Sequence, residues 1–195
     1  VSDDTDTPRI SRPPGVPGRE TPNRLIHASR ADQLRLIPIL AVDVLREWMG
    51  KGEVGANNEG PFVARLTHGR VGAWCAALQY AAEEEVCKKW KWTHPIPYSR
   101  KVHSARGLLK LMVSVGISVD PMDAQVGDYV CLPRPPMPYH GHAQRISKRH
   151  GAGIVSIIDG NVGSFTRTRG QVREVGPIHL MKISLVGLAR YAHPS

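Results

Sequence analysis

Cysteine, uninterrupted apolar sequence and acidic charge are all scarce in this 195-residue chain. The three cysteines, Cys75, Cys87 and Cys131, cannot all pair with one another. Their spacing suits neither a disulfide framework nor a metal site, so no metal and no cofactor is expected. A protein made in a reducing cytoplasm is the simplest reading. The longest apolar runs, such as Ile37 to Val44, are broken by Pro38 or Asp43. They fall short of the roughly 20 residues that cross a bilayer, and no membrane span is expected. The acidic, polar start Val1-Ser2-Asp3-Asp4 does not read as a signal peptide, and the missing initial Met is compatible with a processed start. No internal repeat is visible.

Acids number 17 against 26 Lys and Arg, a formal net charge of +9. The imbalance is uneven. From Arg134 to Arg190 there are nine basic residues against two acids, Asp159 and Glu174, a surplus of seven. A solvated basic surface accounts for many such patches. Here the surplus surrounds candidate catalytic histidines, and attraction to an anionic polymer follows, either cell wall or nucleic acid. No nucleic-acid-binding motif accompanies the charge, which disfavours the second.

The length suits one well-buried domain. Residues 1–30 hold five prolines and little apolar periodicity, and read as an extended arm or linker that could attach to other particle proteins. The domain proper is expected over residues 31–195. Helical spacing of Leu34, Ile37, Leu40, Ala41, Val44, Leu45 and Trp48 predicts a helix over Ala31 to Met49, with Pro38 bending it or delaying its start. A short helix is expected at Phe62 to Leu66, a third over Ala76 to Glu85, and a fourth from Ser104 to Val115. Strands are expected at Asp128–Leu132, His142–Ser147, Ala152–Ile158, Ser164–Thr168, Gln171–Val175 and Ile183–Leu188. Helices followed by strands predict an α+β domain in which N-terminal helices pack on an antiparallel sheet.

Cys75 lies in Gly72-Ala73-Trp74-Cys75-Ala76-Ala77-Leu78, where glycine and tryptophan give way to an alanine-rich helix. A cysteine usually packs as a small hydrophobe, which suits Cys87 and Cys131. At a helix N-terminus, however, free N–H groups and the macrodipole stabilise a thiolate. Downstream stand two candidate bases, His142 after Gly141 and His150 before Gly151. Asp159-Gly160-Asn161 then offers a group to orient an imidazole, although it is also an ordinary turn sequence. Trp92, in the aromatic and basic connector Lys88 to Ser99, and Arg145, near the histidines, are candidates for substrate contact. Trp74 is a third, with packing beneath the site as the alternative for its indole.

Several short motifs occur together in an order that resembles the CHAP family, the cysteine, histidine-dependent amidohydrolases/peptidases. They are Glu53-Val54-Gly55, Asn57-Asn58-Glu59-Gly60-Pro61, Trp74-Cys75-Ala76-Ala77, Ser104-Ala105-Arg106, Val126-Gly127-Asp128-Tyr129-Val130, Gly141-His142 and Asp159-Gly160-Asn161. The likeness spans about residues 35 to 190. It implies a papain-like fold in which Cys75 is the nucleophile, His142 the base in preference to His150, and Asp159 or Asn161 the third member. The chain departs from the family pattern at Gln144-Arg145, where small or apolar residues are usual. The resemblance further implies a peptidoglycan hydrolase, either an N-acetylmuramoyl-L-alanine amidase or a stem-peptide or cross-bridge endopeptidase. Such enzymes serve phage lysis or wall penetration, or bacterial wall remodelling. The alternative is a catalytically idle CHAP-like structural or wall-binding part of a phage particle.

Overall fold

The computed structural model describes residues 25–134, 137–162 and 170–192. Most of the proline-rich arm and the expected strand Ser164–Thr168 lie outside them. Residues 25–30, grouped with the arm on composition, belong to the domain. Leu25 is buried and its carbonyl accepts the Trp92 indole N–H at 2.9 Å.

Among the described residues, four helices of more than one turn precede or flank a six-stranded antiparallel sheet. Helix α1 runs Arg30–Glu47, α2 Pro61–Leu66, α3 Cys75–Trp90 and α4 Ala105–Ser114. The strands are β1 Gly116–Ser118, β2 Tyr129–Arg134, β3 Met137–Gly151, β4 Ile154–Val162, β5 Gln171–His179 and β6 Gly187–Tyr191. Their order across the sheet is β1-β6-β2-β3-β4-β5. The mixed helix and antiparallel-sheet class agrees with the α+β expectation. No helix among the described residues is long and apolar enough to cross a membrane.

Local sequence explains most boundaries. Ser29 caps α1 by accepting the Asp32 N–H, and Ser104 caps α4 by accepting that of Gly107. Pro38 lies inside α1 and does not delay its start. Helix α3 extends five residues past the expected end. It stops at Lys91, which adopts a left-handed conformation, and Lys88 and Lys89 in its last turn complement the helix dipole. Residues 75–83 of α3 are all buried. Ala76, Ala77, Ala81 and Ala82 let α1 and the sheet approach this central helix closely.

The core has two parts. Helix-side residues such as Ile37, Leu45, Leu78, Leu108, Tyr129, Cys131 and Ile158 form the larger. Val130, Ile146, Val155, Ile157, Leu180 and Leu188 form a smaller cluster. Strand β6 begins later than the expected Ile183, at Gly187, after a 3-10 segment at Leu180–Lys182 and a non-strand stretch over 183–186.

Candidate active site

Cys75 is the first residue of α3, and Trp74 precedes it without any side-chain cap bond. The first-turn N–H groups are therefore not occupied by a cap and remain directed at the sulfur's surroundings. The helix start is held from below. The Trp74 indole N–H donates to a Glu53 carboxylate oxygen at 3.0 Å, and the other oxygen accepts the Gly170 N–H at 2.9 Å. Phe62 meets the Trp74 ring edge-on with centroids 6.1 Å apart. Strand β4 presses on the same point. A Cβ on Gly160 would lie 2.5 Å from the Trp74 ring and 2.6 Å from Leu78. Asp159-Gly160-Asn161 is thus not a turn; it is strand, and its glycine makes room for the start of α3.

His142 on β3 stands between Cys75 and Asp159 in its interactions. Its Nε2 lies 3.3 Å from an Asp159 oxygen, and its imidazole interacts electrostatically with the Cys75 thiol. Asp159 is itself fixed by the Gln144 amide at 3.1 Å and the Arg173 guanidinium at 3.4 Å. The strand register places Gln144 and Arg173 on either side of Asp159, on β3 and β5. Of the two alternatives for a third member, Asp159 is the one bonded to His142. Asn161 is buried in a left-handed conformation (φ 61°) beside Gly170.

The electrostatics favour an ion pair. Burial raises the Cys75 pKa, but the hydrogen bond and positive charge of His142 outweigh it. The Ala143 backbone N–H and the charge of Arg134 assist, so the thiol ends below its ordinary value. Burial likewise opposes protonation of His142, yet the bonds to Asp159 and Cys75 raise its pKa to about 9. The other two thiols move the opposite way. Burial pushes Cys87 up to about 12 and Cys131 to about 11. Only Cys75 has the environment of a nucleophile.

His150 is elsewhere. It bonds the Ser156 hydroxyl at 2.8 Å, eight residues beyond His142 along β3, roughly 25 Å of strand.

The three proposed substrate contacts need correction, because all three side chains are interior. Trp74 is 0% exposed and serves the clamp beneath the helix. Trp92 is 7% exposed and bonds Leu25. Arg145 is 0% exposed and extends along α3, with Nη2 2.6 Å from Glu83, Nε 3.3 Å from Gln79 and Nη1 3.1 Å from the Gly127 carbonyl. Glu83 also accepts the Tyr191 hydroxyl and lies 3.3 Å from His94. Burial opposes its charge, but Arg145, His94 and Tyr191 together hold its pKa at about 2.

Residues that do face the site come from separated segments. Cys75 is only 3% exposed, yet it lines a cleft of about 470 Å³ together with Thr67, Arg70, Val71, Arg100 and Arg134. Local sequence carries no signal for this grouping. Gln144 was more accessible to inference, since a residue two beyond His142 on a strand shares its side. Among the described residues, no three His, Cys, Asp or Glu side chains are grouped to hold a metal ion.

The arrangement can generate a thiolate, keep an imidazolium beside it and offer backbone N–H groups to a developing oxyanion. The chain matches no protein-family model, no curated protein and no solved structure.

Proposed function

We propose that this protein is a cysteine hydrolase of amide bonds in peptidoglycan, with a papain-like, CHAP-type arrangement of nucleophile helix and histidine strand. The observation that carries the reading is the series Cys75, His142, Asp159, in which His142 interacts with both neighbours and the Cys75 sulfur lines an open cleft. The wall as substrate rests on the ordered motifs resembling CHAP proteins and on the basic charge of the chain.

In this mechanism the Cys75 thiolate attacks the amide carbonyl carbon. The oxyanion is held by the Cys75 N–H and its neighbours in the first turn of α3. His142, protonated in the resting ion pair, gives its proton to the leaving amine. The neutral imidazole then takes a proton from water, which cleaves the thioester and restores the thiol pair. Asp159 keeps the ring oriented and its charge stabilised, and Gln144 and Arg173 keep Asp159 in place.

Clearing of a purified peptidoglycan suspension tests the reading. The wild-type protein should clear it, and alkylation of Cys75 should abolish clearing. Mass analysis of the released fragments then distinguishes an amidase from an endopeptidase. Wall binding without bond cleavage by a correctly folded protein would refute the hydrolase and leave an idle wall-binding module.

A further inference from the structure

The cleft over Cys75 carries charge of one sign. Arg70 enters from the loop before α3, Arg100 from the 3-10 segment Arg100–His103, and Arg134 from the end of β2. His103 joins them, and no Asp or Glu is among the described residues of the lining. Arg70 and Arg100 are exposed and form no ion pair among the described residues. Their neighbourhood is self-repelling. Burial and then the Arg70 charge keep the His103 pKa below its ordinary value, and the Arg134 charge is felt at the Cys75 sulfur. Two arginine pairs elsewhere, Arg145 with Glu83 and Arg190 with Asp128, are by contrast closed within 2.7 Å. Two exposed guanidinium groups from separate segments, on the rim of a cleft that reaches the Cys75 sulfur, mark a place where an anion is brought by the substrate. Val71, 87% exposed on the same rim, offers apolar contact beside them.

We propose that the cleft selects acidic peptides, with Arg70 and Arg100 gripping a free carboxylate near the scissile amide. In a wall this means glutamyl or diamino-acid residues whose carboxyl groups are not amidated. The assignment deepens the hydrolase reading and rests on it for the nature of the bond cut.

Two measurements test this separately from the hydrolase reading. The first compares cleavage of a pair of synthetic stem peptides that differ only in a free or amidated glutamyl carboxyl. The expected kcat/KM is about tenfold higher for the free acid. Arg70→Gln and Arg100→Gln should each cut that preference roughly threefold, the effect of one unit charge several ångströms away at the protein–water boundary. Lys148→Gln, which removes an exposed charge on β3, should leave it unchanged. Equal or faster cleavage of the amidated peptide overturns the proposal while the hydrolase stands.

The second measurement needs no substrate. Cys75 attacks the methylene of iodoacetate or iodoacetamide, forming an S–C bond as iodide leaves, and only the first reagent carries a carboxylate. His142 itself favours the anion, so the comparison that decides is between proteins. The iodoacetate-to-iodoacetamide rate ratio should fall about threefold in each arginine variant and stay constant in Lys148→Gln. If neither peptide is cleaved, that fall still supports the anion-selecting cleft although the hydrolase reading has failed. An unchanged ratio in both arginine variants overturns the proposal.

Discussion

Replacing Asp159 by Asn isolates what the third residue contributes. The carboxylate oxygen 3.3 Å from His142 Nε2 becomes part of a neutral amide of the same size. The remaining oxygen can still accept from His142 and Gln144, while the new NH2 group faces Arg173 and loses that contact. A hydrogen bond to a charged group contributes about 1.5–3 kcal/mol, or about one to two pKa units on the imidazole. In the wild type the ion pair occupies a window. It is lost on the alkaline side as His142 deprotonates near pH 9, and on the acid side as the lowered Cys75 thiolate is protonated. The substitution weakens the imidazolium and shifts the balance toward neutral thiol and neutral imidazole. Alkylation of Cys75 by iodoacetamide, followed by intact mass from pH 5 to 10, reads the thiolate directly. At pH 6.5 the variant should react about tenfold more slowly, and near pH 10 the two proteins should converge because both thiols are ionised. Superimposable profiles would show that Asp159 does not support the imidazolium.

Cys75→Ala should keep the fold and lose roughly 10⁴-fold or more of any hydrolysis, whereas Cys131→Ala should retain activity; peptidoglycan clearing and circular dichroism check both. In labelling near neutral pH, Cys75 should react well before Cys87 and Cys131, whose thiols burial holds protonated. Arg145→Ala leaves Glu83 buried without its guanidinium partner and should cost about 3–5 kcal/mol, a fall in Tm of roughly 10 °C. Lys148→Ala, removing an exposed charge, should stay within about 0.5 kcal/mol. Gly160→Ala drives a methyl group into the Trp74 ring and Leu78, so a loss of about 1–3 kcal/mol is expected in denaturant unfolding, with slower Cys75 alkylation as the helix start shifts.

What could be read from the sequence divides by the range of the interaction that decides it. The start of α3 was legible because Gly72 and Trp74 break the chain before an alanine run, and helix propensity then acts locally. The β4 strand was legible from its apolar, β-branched run Ile154-Val155-Ser156-Ile157-Ile158. Arg145 was not. A charged residue in a basic stretch reads as surface, and its burial depends on Gln79 and Glu83, more than sixty residues away. Trp92 failed for the same reason, since its partner Leu25 lay in a segment counted as linker. Gly160 gives the sharpest case. Its local context says turn, but its purpose is steric and belongs to a helix packed across the sheet. The cleft arginines have no pattern at all, because three segments bring one residue each.

The departure at Gln144-Arg145 then acquires a physical account. Gln144 buttresses Asp159, and the next residue turns the other way to reach α3. Strand β3 is consequently tied to the nucleophile helix at two levels. His142 meets Cys75 at the helix start, and Arg145, three residues along the strand, meets Gln79 and Glu83 one and two turns further down the same helix. Cys75, Gln79 and Glu83 follow the four-residue spacing that places side chains along one face. A single contact would let strand and helix slide or rotate, whereas two contacts separated along both elements fix the distance between sulfur and imidazole. A buried ion pair is a poor source of net stability compared with apolar packing. Its use here is geometric: it holds β3 in register with α3, and under the proposed mechanism a misplacement of about 1 Å between Cys75 and His142 costs about 10²-fold in rate.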